Sequence, residues 1–71
     1  MNQINPKKLL NSKWTATEPR NKEKHFIVTE VEFDEQLNVV RCVVEAVMSK
    51  RETVVDWRRF KDASIWKLGW V

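Results

Sequence analysis

Residues His25 to Met48 read HFIVTEVEFDEQLNVVRCVVEAVM, and how the two halves of this stretch face each other decides the fold. His25–Phe33 and Val39–Met48 are rich in β-branched and aromatic residues with apolar and polar side chains alternating, which is the signature of half-buried strands. The five residues between them, DEQLN, make a reversal, so the pair reads as an antiparallel hairpin. Pairing residues whose numbers sum to 73 sets His25, Ile27, Thr29, Val31 and Phe33 on one face with Val40, Cys42, Val44, Ala46 and Met48. It also puts Glu32 opposite Arg41. A slip of one residue would bury Glu30 and Glu32 against Val40 and Cys42 without partners, a costly arrangement.

Working outward, Thr53–Trp57 predicts a third strand, returning through Ser49–Glu52. Two registers satisfy its faces. One pairs Ala46 with Val55 and Glu45 with Asp56; the other slides by two residues and pairs Glu45 with Arg58. In both, Trp57 points into the core. Beyond it, Asp62 is a candidate N-cap, Ala63–Leu68 a turn and a half of helix, and Gly69, the single glycine, the helix stop. Toward the start, Asn5-Pro6 signals a helical turn through Leu10, Lys13–Thr17 a short strand, and Pro19–Lys24 a surface loop.

The expected fold is mainly β, on the border of α+β. It is an antiparallel meander of three or four strands, either a sheet covered on one side or a small open barrel, capped by short N- and C-terminal helical turns. The second face of that meander would carry Phe26, Val28, Val43, Val47 and Val54 among its charges. That is too apolar for a solvated face. The N-terminal segment, the C-terminal helix or a second copy of the chain should cover it.

Seventy-one residues make a single domain, 1–71, with room for one core. A chain this small ordinarily needs a disulfide, a metal, self-association or unusually dense packing. One cysteine and one histidine supply neither a disulfide nor a cysteine and histidine zinc set. A lone thiol and the lack of any long apolar run predict a cytoplasmic protein. Four tryptophans supply the dense packing: burying one removes roughly 200 Å² from water, on the order of 5 kcal/mol gross. At least two or three of them should therefore be structural.

No catalytic set emerges, and we expect neither an enzyme nor a cofactor or metal site. His25, the one histidine, has no local signature of a base, and Cys42 falls on the apolar face as an inert core thiol. Glu30, Glu32 and Asp34 alternate as a solvated strand face does, and a single glycine cannot build a phosphate loop. What remains is recognition. The charge is +3 overall but divides into +4 over residues 1–25, −4 over 26–49 and +3 over 50–71. In DWRRFKDASIWKLGWV, Arg58, Arg59, Lys61 and Lys67 interleave with Trp66 and Trp70, the residues that a cationic and aromatic binding surface would use.

The segments NPKKLLNSKWTA, KEKHFIVTEVEFD, VMSKRETVVDWRRFKD and IWKLGW together resemble a small tryptophan-rich family of bacterial proteins of unknown function. The resemblance spans nearly the whole chain and implies a stand-alone bacterial protein, with no activity to carry over. Two functions are expected: a non-catalytic protein-interaction or self-associating module, such as a homodimer, or a weak binder of RNA or single-stranded DNA. No membrane partner is expected.

Overall fold

The computed structural model describes residue 2 and residues 4–71. Five antiparallel strands form one mainly β sheet: β1 (Lys13–Arg20), β2 (Glu23–Phe33), β3 (Val39–Ala46), β4 (Glu52–Val54) and β5 (Trp66–Leu68), in the order β4-β3-β2-β1-β5. The outer strands β4 and β5 lie at opposite edges, so the sheet stays open and the barrel alternative falls away. Two short 3-10 turns, Pro6–Lys8 and Trp57–Lys61, pack on the front face. Asn5 caps the first, its side chain accepting the Lys7 N–H, as Asn5-Pro6 predicts.

The central hairpin keeps the sum-73 pairing only at Glu30↔Val43, Val31↔Cys42 and Glu32↔Arg41. A bulge at Thr29 then shifts the ladder, and Val28 pairs with Val44, Ile27 with Glu45 and Phe26 with Ala46. One extra residue reverses which side chains face which side. Val28 and Phe26 therefore turn to the front core, where regular alternation would have placed Thr29 and Ile27. A second irregularity pairs Phe33 with Val39 rather than Val40. Arg41 reaches both Glu30 and Glu32, at 3.1 and 3.6 Å.

The front core is Leu9, Trp14, Val28, Cys42, Val44, Phe60 and Trp66, with Ala16, Phe26, Val31, Val55, Trp57 and Ile65 packed around it. Trp14 stacks on Phe60, and Trp66 meets Phe26 edge-on and tilts against Phe60. Offset and edge-to-face aromatic pairs each add about 0.5–1.5 kcal/mol beyond burial. Three of the four indoles are thus structural; Trp57 is half-buried, under the Lys61 ammonium at 5.1 Å from its ring.

Elsewhere the local expectations are corrected. Pro19–Lys24 is no loop: β1 runs to Arg20 and turns through Asn21 and Lys22, both at positive φ, as a two-residue hairpin of twisted strands demands. The third strand is only Glu52–Val54, and neither expected register holds, because Val43↔Val54, Val44↔Thr53 and Glu45↔Glu52 are the pairs. The chain reverses early. Lys50, at φ 62°, donates its N–H to the Ala46 carbonyl, and Arg51 and Ser49 both hold Glu23 of β2. That turn leaves Met48 in solvent. Trp57 reaches the core from a 3-10 turn capped by Asp56 instead of from a strand.

The C-terminal helix is also replaced. Asp62 does cap a turn, accepting from the Ser64 N–H and hydroxyl, but Trp66–Leu68 then extends along β1 as Trp14↔Leu68, Thr15↔Lys67 and Ala16↔Trp66. Without β5 the apolar edge of β1 would be bare. Gly69 ends this strand at φ 82°, and its N–H donates to the Lys13 carbonyl.

Candidate interaction surface

The six residues singled out as a cationic and aromatic surface are not brought together. Trp66 is 9% exposed and belongs to the core. Arg58, Arg59 and Lys61 ride on the 3-10 turn over the front face. Lys67 pairs with Thr15, and consecutive strand residues point to opposite sides, so it projects from the back face. Trp70 also lies on the back.

Trp70 is held there by a strap, Gly69–Val71, that recrosses the sheet. Thr15, buried on the back of β1, donates its hydroxyl to the Gly69 carbonyl and accepts the Val71 N–H. The Trp70 indole N–H donates to the Phe26 carbonyl at 2.9 Å. Lys13 places its ammonium 4.8 Å from the indole, and His25 tilts against the same ring while its Nε2 meets the Val71 carbonyl. Trp70 remains 43% exposed.

The strap covers only the β1 and β2 part of the back. Beyond the strap the back carries Ile27 and Val47, both half-buried, then Val43, buried at 4% exposure, and Val54 at 61% exposure. Ladder pairs line up one transverse row over four strands, Lys13–Ile27–Glu45–Glu52, and a second, Glu30–Val43–Val54. Charge is segregated along that axis. Lys67 and Lys13 stand at the β5 and β1 end, while Glu45 and Glu52 stand side by side at the β3 and β4 end. Like charges directly opposite across strands are unfavourable. Among the described residues neither glutamate has an ion-pair partner, although the Thr29 hydroxyl donates to Glu52. Arg41 is already shared by Glu30 and Glu32.

A second apolar patch lies at the hairpin end. Leu37, 67% exposed and at φ 65°, faces a shallow groove with Phe33 and Pro6. Asp34 organises that reversal by accepting the N–H groups of Gln36 and Asn38, which holds its carboxyl below the ordinary value.

The sequence points to Trp70, Lys67 and, through Val43, Val47 and Val54, to part of this apolar face; it wrongly adds Phe26 and Val28, which the bulge turns to the front, and it misses the Lys13 and Glu45/Glu52 poles. Those poles emerge only when the bulge fixes which residues share a row. Among the described residues, no three His, Cys, Asp or Glu side chains converge in a way that could hold a metal ion, and no helix is long and apolar enough to cross a membrane. Burial pushes the Cys42 thiol up to about 11.

Comparison with known proteins finds one family, described as Tryptophan-rich protein (DUF2389), whose sequence model matches residues 12–71. No curated protein and no solved structure matches the chain.

Proposed function

The chain belongs to this tryptophan-rich family, whose function is unknown, and from that premise we propose that it is a non-catalytic protein-interaction module of the bacterial cytoplasm, working through the back of its sheet. The observation that carries this reading is the partly open apolar strip of that face, where half-buried Ile27 and Val47 and exposed Val54 surround the buried Val43, with the half-exposed Trp70 toward the β1 side. An apolar strip bordered by charged residues is the anatomy of a recognition surface, with aromatic anchors at its centre. Both 3-10 turns and three indoles fill most of the front face, where an open groove remains beside the first turn, lined by Ile4, Leu9, Trp14 and Leu68.

The test is site-specific photocrosslinking in the native host from position 54, with position 35 in the hairpin loop as an exposed control. Adducts to protein from 54 and none from 35 support the reading. Adducts that nuclease removes, or no adduct at all, overturn it.

The other reading, a weak binder of single-stranded nucleic acid, rests on Trp70 with Lys13 and Lys67 near it on the back face. Stacking on the indole would quench its fluorescence in a salt-dependent way. The carboxylates of Glu45 and Glu52 on the same face oppose it.

A further inference from the structure

We infer that the partner of the back face is a second copy of this chain, packed face to face about a two-fold axis that runs along β2. The inference rests on the interaction reading and deepens it.

Three observations lead there. The strand order β4-β3-β2-β1-β5 places β2 in the middle. Turning a copy over about an axis parallel to β2 therefore lays β1 on the partner's β3 and β5 on the partner's β4. Second, the charges exchange under that same rotation. Lys13 on β1 comes over the partner's copy of Glu45, and Lys67 on β5 comes over the edge strand that carries Glu52, one row away. The carboxylate pair, which has no cation within its own chain among the described residues, meets two lysines. Every contact occurs twice, as an isologous interface requires.

Third, the apolar groups fall in register with the axis. Ile27 lies on β2 itself and meets its own copy, while Val47, bonded to His25 at the end of β3, faces the partner's β1, where the Trp70 strap lies, and exposed Val54 faces the partner's β5 edge. Rotation about the strand direction keeps the two sets of strands aligned, the common way for sheets to pack. The molecule measures 37 by 26 Å in its two long dimensions, so a face of this size is of the order of the about 800 Å² per partner that a standard interface buries. Such a sandwich would supply the self-association that a small chain without disulfides or metal needs.

The experiment uses the full chain in sedimentation equilibrium, with two charge-reversed variants, Lys13→Glu with Lys67→Glu and Glu45→Lys with Glu52→Lys. The wild type should give a mass near twice the 8.5 kDa of one chain. Each variant alone should be a folded monomer by circular dichroism. An equimolar mixture should regain the dimer, because every reversed lysine then meets a reversed glutamate. Arg59→Glu, on the front, should leave the dimer intact. If a charge variant does not fold, Val54→Arg provides a second disruptor on the same face.

A wild type that stays monomeric at its highest soluble concentration overturns the inference, as does a dimer indifferent to both charge variants and to Val54→Arg. The interaction reading fails separately. Should position 54 crosslink to a different protein while the wild type is monomeric, only the second copy is lost; should it crosslink to no protein, the wider reading is lost.

Discussion

Trp14 lies flat on Phe60, ring centroids 4.3 Å apart and planes inclined by 17°, and this stack joins the first strand to the turn that closes the front of the sheet. Phe60 also leans on Trp66, so one side chain links two strands and a turn. Both rings of the stack are fully buried. Phe60→Ala should cost about 3–5 kcal/mol, the range for removing a core aromatic, against a total stability of about 5–15 kcal/mol. Urea titration followed by tryptophan fluorescence measures it. A loss under about 1 kcal/mol would mean that the turn does not hold the core.

The bulge gives a sharper test of the sheet. With Thr29 as the extra residue, Val28 is wholly buried and Thr29 exposed, the reverse of what an unbroken ladder would produce. Val28→Ala should therefore destabilise by roughly 2 kcal/mol, whereas Thr29→Ala, which loses an exposed hydrogen bond to Glu52, should stay within about 0.5 kcal/mol. Comparable losses at the two positions would place the register elsewhere.

That bulge also shows how far the sequence can be read. Alternation over His25–Phe33 and Val39–Ala46 and the polar break DEQLN are enough for the hairpin, and Asn5-Pro6 for the first turn. But Ile27 and Val28 are adjacent and both apolar, so either parity satisfies the period-two pattern, and nothing local marks where an extra residue enters. The C-terminal segment misleads for another reason. Ile65 and Leu68, and Trp66 and Trp70, have helical spacings, yet the open edge of β1 captures Trp66–Leu68 as a strand, a tertiary effect that propensity does not contain. The poles of the back face inherit both difficulties. Lys13 and Glu45 share a row only through the shifted pairings of Ile27.

Gly69 stands at φ 82°, where a side chain is strained, but an added Cβ would meet nothing within 4 Å. Gly69→Ala should therefore cost about 1 kcal/mol of backbone strain and no steric clash, and Gly69→Asn less, since asparagine tolerates the left-handed region. Thermal melts of the two variants decide it. If alanine proves as stable as glycine, the strap does not depend on this conformation.

Acid should weaken the fold partly through Glu23. The Ser49 hydroxyl donates to its carboxylate and the Arg51 guanidinium lies 2.6 Å away, which together hold the folded value below the ordinary 4.5. Because the folded carboxyl is the stronger acid, its contribution is present above 4.5 and is lost as pH falls through the lowered value. Glu23→Gln should be less stable than wild type at neutral pH, with the difference shrinking in acid. Urea midpoints across the acid range measure this; parallel pH profiles would remove Glu23 as a contributor.

Cys42 makes a probe of how the core opens. Its side chain is buried between Val31 on β2 and the place where β4 leaves the sheet, marked by the Val55 N–H donating to the Cys42 carbonyl. With the thiol pushed up to about 11, the reactive thiolate at neutral pH is on the order of one part in ten thousand, and burial blocks even that fraction. An aromatic disulfide reagent should thus label one thiol per chain rapidly in denaturant and very slowly in the folded protein. The slow rate should rise with sub-denaturing urea, since labelling must wait for the segment from Val55 to Phe60 to lift from β3. Phe60→Ala, which loosens that segment, should speed labelling more than Thr29→Ala does. Fast stoichiometric labelling of the folded wild type would show that this corner of the core is open to solvent.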